Sequence, residues 1–349
     1  MKWLKILALT FTAMVVLFTT VWLLIPVMGQ QSLGAELSDK LEIPHPTVIA
    51  HRGASHLAPE STAPAYKLAR DLGADYLEAD LQRTKDGVIV VFHDETLERT
   101  TNIEEVYPNR LHQTIDQFTY EELLKLDIGS WFNDKHPERY RESYLGLKIL
   151  TLDGLIDIAE AGNNNPGLYL ETKFIDKYPG MEQDIVDILE SRGWIGKEPK
   201  LSGIDKSSNK EIGAPTVNVA EGSSRVIFQS FYPESVVELK KIAPDVLAVL
   251  LISESIEEER GWNKIIEEAV NISDGIGPVG TLAWPWRLGP AHKHQLIIHP
   301  YTINPAWQMK LLRHFGADGV FTDRPEIAIE VYEKGGPIKI EALFERLGY

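Results

Sequence analysis

The chain has 349 residues, 44% of them hydrophobic and 25% charged, a balance that excludes a disordered or collagen-like polypeptide and suits one large domain better than two small ones. Its formal charge of −16 argues against nucleic acid as a partner, because phosphate backbones are gripped by clustered Lys and Arg. The absence of cysteine removes disulfides, thiolate zinc sites and cysteine nucleophiles.

Ile6 to Met28 is an almost unbroken apolar run, about as long as a helix that crosses a bilayer, and Lys2 and Lys5 precede it. The positive-inside tendency places the N-terminus in the cytoplasm and everything after Gln30 outside. Residues 1–29 read either as a retained signal anchor, which makes the membrane a partner through this helix, or as a signal peptide cleaved near Val27-Met28-Gly29. Both readings export the rest of the chain, to a periplasm or a cell surface. Residues 30–45 read as a polar linker and 46–349 as one domain.

Beyond the linker, short apolar and β-branched runs alternate with amphipathic stretches, the pattern of βα units. In chain order the expected strands are Thr47 to Ala50, Tyr76 to Leu81, Val88 to Phe92, Leu168 to Glu171, Val226 to Gln229, Leu247 to Ile252, Gly275 to Gly277, Leu296 to Tyr301 and Gly319 to Thr322. Helical patterns at Ala63 to Leu72, Glu182 to Glu190, Glu234 to Ile242 and Trp307 to Phe315 fall between most of them. Only Gln82 to Gly87 separates the second strand from the third, too short for a parallel crossover, so these two form an antiparallel hairpin. Eight strands then remain for a closed parallel (β/α)8 barrel, a TIM barrel with an inserted β-hairpin. Two long insertions, Thr96 to Tyr144 and Lys197 to Ser224, exceed ordinary βα-loop length.

The hairpin also predicts a site. If Asp86-Gly87 is a two-residue type I′ turn, Lys85 pairs with Val88 and Asp80 lies opposite His93. Glu78, two residues from Asp80, shares that strand face. Two carboxylates and an imidazole then converge, a set suited to a hard divalent cation and to proton transfer near neutrality. Other strand ends are polar too: His51-Arg52, Glu171 with Lys173, Gln229-Ser230, Tyr301 to Asn304, and Asp323. In a βα barrel these ends open on one mouth.

His51-Arg52-Gly53, Pro59-Glu60-Ser61-Thr62, Glu78-Ala79-Asp80, Thr84-Lys85-Asp86-Gly87 and His93-Asp94 together resemble the glycerophosphodiester phosphodiesterase family. So do Asp127 to Phe132, Glu171-Thr172-Lys173, Gln229-Ser230-Phe231, His299 to Asn304 and Phe321-Thr322-Asp323, over about Val48 to Ile329. The long insertions look most like the periplasmic, calcium-using branch. The resemblance implies metal-dependent hydrolysis of a small glycerophosphodiester to sn-glycerol 3-phosphate and an alcohol. It implies Glu78, Asp80 and Glu171 as ligands of one divalent cation, Ca2+ in preference to Mg2+, and His51 and His93 as the acid/base pair. Arg52 and Lys173 match phosphate-holding groups, Glu60 and Gln229 belong to the substrate site, and Tyr301 packs the glycerol or head-group side. Ser61 departs from the family's usual Asn, and Tyr301 stands where some members have Trp. A larger cell-surface phosphodiester, such as a lysophospholipid or wall polymer, is the alternative substrate. Oligomeric state, head-group preference and the order of the two histidines stay open.

Overall fold

The computed structural model describes residues 33–196, 223–336 and 339–349, together with Met14. The expected membrane segment Ile6 to Met28, apart from Met14, and nearly all of the insertion Lys197 to Ser224 lie outside the described residues. Among the described residues no helix is long and apolar enough to cross a membrane.

The described residues form ten strands: β1 (Thr47–Ala50), β2 (Tyr76–Arg83), β3 (Ile89–Val91), β4 (Leu150–Thr151), β5 (Gly167–Thr172), β6 (Val226–Ser230), β7 (Leu247–Ile252), β8 (Gly275–Pro278), β9 (Ile297–Ile298) and β10 (Gly319–Thr322). Eight of them run parallel in the order β10-β1-β2-β5-β6-β7-β8-β9. The Asp318 N–H donates to Ile298 O and the Phe321 N–H to Pro300 O, each at 2.9 Å, which closes the ring between β9 and β10. The expected parallel barrel is therefore present, with helices such as Ala63–Leu72, Met181–Ser191, Pro233–Ile242 and Ala306–Phe315 outside it.

Side-chain alternation sorts each strand into an inner and an outer row. Ile49, Tyr76, Tyr169, Ile227, Val249, Ile297 and Phe321 pack together inside the barrel, while their neighbours Val48, Leu77, Leu168, Val226 and Val320 pack outward against the helices. The inner row continues upward to polar residues: Glu78 and Asp80 follow Tyr76 at steps of two, Glu171 follows Tyr169, Gln229 follows Ile227, His51 follows Ile49 and Asp323 follows Phe321. The same periodicity that builds the apolar floor thus delivers the charged mouth.

The floor has a further component. Residues 33–40, inside the expected linker, are helical, and Leu37 and Ile43 are buried in the inner apolar cluster with partly buried Leu41 against it. This stretch is a plug in the base of the barrel rather than a polar tether. Its leucines recur at positions 33, 37 and 41, one helical face.

The hairpin forms, but in a different register from the expected one. Leu81 pairs with Val91, Gln82 with Val90 and Arg83 with Ile89, so the pairs sum to 172 rather than 173. The connection has three residues, Lys85-Asp86-Gly87, closed by the Thr84 N–H donating to Val88 O at 2.9 Å. Gly87 alone takes positive φ, +88°, where a type I′ turn requires it of Asp86 as well. The Thr84 hydroxyl accepts the Val88 N–H at 2.9 Å and donates to Asp86 at 2.6 Å, which favours the longer loop. Phe92, not His93, therefore lies opposite Asp80, its N–H donating to Asp80 O at 2.9 Å. Beyond β3 the chain leaves the ladder.

After β3 the insertion builds its own small core from Val90, Phe92, Leu97, Ile103, Ile115, Phe118, Leu123, Leu126, Ile128 and Ile149. A Thr119/Glu122 capping box starts its helix Tyr120–Leu123. The chain returns through β4, which pairs antiparallel with β3 and lies off the barrel ring.

Candidate active site

Glu78, Asp80 and Glu171 meet at the upper end of β2 and β5, where Asp80 is in register with Glu171. Each offers a carboxylate oxygen within 4.8 Å of the other two, and all three are buried. Asp80 Oδ2 and the neighbouring Gln229 Oε1 are buried without a hydrogen-bond partner. Three buried carboxylates around unsatisfied oxygens form a donor set of the hard-oxygen type that suits a divalent cation.

The charges around this set are split. Burial, then the charges of Asp80 and Glu171, push the Glu78 carboxyl far above the usual range, and burial likewise raises Glu171 against the pull of Lys173. At Asp80 burial acts the same way, but Lys173 and Arg52 outweigh it and hold the carboxyl well below the ordinary range. Lys173 Nζ lies 2.8 Å from Glu171 Oε1 and 3.6 Å from Asp80 Oδ1. Arg52 Nε is 3.3 Å from Asp80 Oδ2. Burial opposes the charge of both cations, and the surrounding carboxylates raise their pKa values nonetheless.

Local backbone aims Arg52. Arg52 and Gly53 both adopt positive φ, +56° and +85°, at the top of β1. A Cβ on Gly53 would come within 2.6 Å of the Ala65 backbone, so only glycine lets the turn sit on the helix Ala63–Leu72. The turn points the Arg52 N–H at Glu78 Oε2, at 2.7 Å, and its guanidinium at Glu60 Oε1, at 2.8 Å. Ser61, the departure from the family's Asn, also has positive φ, +58°, the region where Asn is the favoured non-glycine residue.

Both histidines reach the mouth, each with an aspartate on Nδ1. His51 Nδ1 lies 2.7 Å from Asp323 Oδ1, and Ser55 and Asn304 also donate to Asp323, at 3.1 and 2.7 Å. Burial works against the ionised Asp323, but His51, Asn304 and Ser55 hold its carboxyl far below the usual range. His93 Nδ1 lies 2.6 Å from Asp94 Oδ1. An imidazole that donates Nδ1–H to a carboxylate leaves Nε2 for the mouth. His93 arrives there although it is not Asp80's ladder partner, because the chain has left β3 by then; its charge acts on both Asp80 and Glu171.

Arg99 does not figure in the sequence reading. Its guanidinium donates to Glu60 Oε2 and Oε1, at 2.8 and 2.7 Å, and to both oxygens of Asp94, at 2.9 Å for Oδ1. It therefore ties Glu60, which holds Arg52, to Asp94, which holds His93. No motif marks an Arg six residues after a His in an insertion, so nothing in the pattern could have found it.

Gln229 Nε2 donates to Glu78 Oε1 at 3.1 Å, which places Gln229 beside the carboxylates. Tyr301 is farther out: its hydroxyl donates to Ile252 O at 3.2 Å and its ring meets Phe231 edge to face at 5.8 Å. Phe231 also lies 5.8 Å from Lys173 Nζ, so an aromatic wall borders the cationic side. Asp127 of the Asp127 to Phe132 motif does not line the site; its carboxylate accepts from the N–H groups of Gly129, Ser130 and Gly146 and shapes the insertion.

The sequence pattern described as "Glycerophosphoryl diester phosphodiesterase family" matches residues 51–327. A glycerophosphodiester phosphodiesterase of Bacillus subtilis is 34% identical over 279 residues, 80% of this chain and 84% of that protein. One from Caldanaerobacter subterraneus subsp. tengcongensis is 32% identical over 291 residues, 83% of this chain and 98% of that protein. Among solved structures, a glycerophosphodiester phosphodiesterase from Agrobacterium tumefaciens superposes with a TM-score of 0.57 at 22% identity, covering 81% of this chain and 99% of that one. An Oleispira antarctica phosphodiesterase, solved in complex with the product sn-glycerol-3-phosphate, gives 0.59 at 23% identity over 83% and 97%. These structural likenesses support the barrel.

Proposed function

The chain belongs to the glycerophosphoryl diester phosphodiesterase family and is a phosphoric diester hydrolase, and on that footing we propose that it hydrolyses a small glycerophosphodiester to sn-glycerol 3-phosphate and an alcohol. The observation that carries the site assignment is the convergence of three buried carboxylates with two aspartate-held imidazoles at one barrel mouth. The Oleispira antarctica relative, with sn-glycerol-3-phosphate bound, supports the product class.

Glu78, Asp80 and Glu171 would hold one divalent cation, Ca2+ in preference to Mg2+ on the family resemblance. Bound there, the cation would supply positive charge to phosphate oxygens as negative charge develops on them. Arg52 and Lys173, both kept protonated by surrounding carboxylates, hold the diester's non-bridging oxygens. Glu60 fixes the Arg52 fork, Gln229 orients Glu78, and Tyr301 with Phe231 borders the glycerol or head group.

One histidine takes at Nε2 the proton of the attacking oxygen as that oxygen forms the new P–O bond; water as the attacker gives sn-glycerol 3-phosphate directly, and the substrate's own glycerol hydroxyl gives a cyclic phosphate that water then opens. The P–O bond to the alcohol breaks, its electron pair stays on the departing oxygen, and the other histidine's Nε2 protonates that oxygen. His51 and His93 are suited to these roles because Asp323 and Asp94 fix each ring by its opposite nitrogen. The apolar run Ile6 to Met28 supports an extracytoplasmic location for the barrel.

The test is release of glycerol 3-phosphate from glycerophosphocholine by the purified chain, after chelation and again after adding Ca2+ or Mg2+. Activity that returns with metal and is absent in His51→Ala and Asp80→Asn establishes reaction and site together. Folded, metal-loaded protein that turns over lysophospholipid or a polyol-phosphate polymer, but no simple glycerophosphodiester, moves the assignment to a larger surface substrate.

A further inference from the structure

The chain carries 51 acidic residues, yet none falls between Asp274 and Asp318. That acid-free stretch holds Arg287, Lys293, Lys310 and Arg313, and it includes two neighbouring outer helices, Pro285–Lys293 and Ala306–Phe315. The same helices expose aromatic surface: Trp284, at the start of the first, is 44% exposed, Trp286 64% and Trp307 66%, with Leu311 at 38%. Trp307, Leu311 and Phe315 recur every four residues, so they line one helix face. Trp284 joins the two helices, stacking on Trp286 at 5.1 Å and meeting the Phe315 ring at 6.1 Å. Exposed Lys293, Lys310 and His314 flank this face, and neither lysine has an ion-pair partner among the described residues.

We propose that this face rests on the surface of an anionic lipid bilayer, so that the barrel lies on its side against the membrane. Indole rings and lysines side by side match the interfacial zone of a bilayer, where Trp sits at headgroup level and cations meet anionic lipid. The position of the N-terminal chain favours lipid over a protein partner. Gly34 is pressed against Asp318 and His292; a Cβ there would collide with the Asp318 carboxylate and lie 3.2 Å from the His292 ring. His292 is in the last turn of one patch helix, and Asp318 follows the other, so the chain meets the base of the barrel beside the C-terminal ends of the two helices that carry the patch. From Met28, the end of the apolar run, to Gly34 an extended chain reaches about 20 Å. A helix the length of Ala306–Phe315 is about 15 Å long. A bilayer that holds the apolar run therefore lies within reach of the whole aromatic face. This last step rests on reading Ile6 to Met28 as a membrane segment; the composition and exposure of the face do not.

The cysteine-free sequence permits a direct test with the full chain. Single cysteines replace Trp286, Trp307 and, on the far side of the barrel, Glu190, and each carries an environment-sensitive fluorophore. The labelled chains are mixed with phosphatidylcholine vesicles, with or without phosphatidylglycerol, that contain nitroxide lipid. Turnover of glycerophosphocholine reports that each variant is folded. Quenching at 286 and 307 but not at 190, dependent on phosphatidylglycerol and weakened about fivefold for each charge removed in Lys293→Gln and Lys310→Gln, supports the docked face. Equal quenching at all three positions, or none at 286 and 307, overturns it. A chain that alkaline carbonate strips from vesicles while 286 and 307 are still quenched keeps the face and removes the membrane span. A chain that resists stripping with both labels unquenched does the reverse. Protection of both labels by self-association without lipid assigns the face to a second copy instead and overturns the proposal.

Discussion

His51 and Asp323 come from opposite ends of the domain, 272 positions apart, and lie 2.7 Å from each other because β1 and β10 are neighbours in the ring. The carboxylate fixes the ring and opposes the positive charge that forms when Nε2 takes a proton. Asp323→Asn removes that charge while Asn304 and Ser55 still hold the backbone in place. The expected result is a fall in kcat of about 10²–10⁴-fold with little change in KM. Steady-state kinetics decide this: a loss confined to KM would make His51 a substrate-holding group.

Cation binding should depend on pH with a definite sign. Burial, with the charges of neighbouring carboxylates at Glu78, raises the pKa values of Glu78 and Glu171 in the cation-free protein. Protons must then leave as the cation enters, so affinity rises with pH and protons are released. Calorimetric titration in two buffers of different ionisation enthalpy measures that release directly. The cation should also raise the melting temperature, since a ligand at 100 times its Kd adds about 2.7 kcal/mol. Asp80→Asn should abolish both effects.

Arg99 links the Glu60–Arg52 pair to the Asp94–His93 pair. Arg99→Ala should lower kcat by about 10-fold or more, because a misplacement of about 1 Å at the reacting groups costs on the order of 10²-fold. Arg99→Lys should restore little, since one ammonium cannot span both carboxylates as the guanidinium fork does. Wild-type kinetics in both variants would show the link to be ornamental.

Acid stability follows from the aspartates. Burial raises the pKa values of Asp94 and Asp323, but the hydrogen bonds and charges of His93 with Arg99, and of His51 with Asn304, bring both well below the ordinary value. A folded-state pKa below the unfolded one contributes stability that is present above about pH 3.9 and is lost as pH falls through the folded values. Melting temperature should drop steeply below about pH 4, and Asp94→Asn should flatten that slope while lowering the neutral-pH plateau.

Leu37 is 6% exposed in the inner cluster at the base of the barrel. Leu37→Ala should cost about 2–5 kcal/mol, as for other buried leucines. Chemical denaturation would show it; a change near zero would mean that the segment is a tether after all.

Much of this arrangement is legible in sequence because barrel strands are short, apolar and end in polar residues. β1, β7 and β10 coincide with the apolar runs Thr47 to Ala50, Leu247 to Ile252 and Gly319 to Thr322. Glu78 and Asp80 share a face through the two-residue period, a local rule, whereas Glu171 reaches Asp80 through the register of two strands distant in sequence, and only the family resemblance marks it as a ligand. The hairpin register does not, because Asp86-Gly87 fits two loop lengths and the Thr84 hydroxyl decides between them. β4 has two residues and carries no periodicity. The basal helix has a visible leucine period, but Glu36, Ser38, Asp39 and Lys40 mask it as a linker. Arg99 is legible only in space.

The ring of eight parallel strands is complete without β3 and β4, and the segment between them has a core of its own. The two imidazoles therefore stand on foundations of unequal rigidity: His51 on the closed ring, His93 on an appendage. A fluctuation that lifts the appendage would leave the carboxylate trio and His51 in place and carry off His93, Asp94 and Arg99 together. Such a chain would still be folded and able to bind a cation, but inert, so catalytic competence can melt at a lower temperature than the barrel itself.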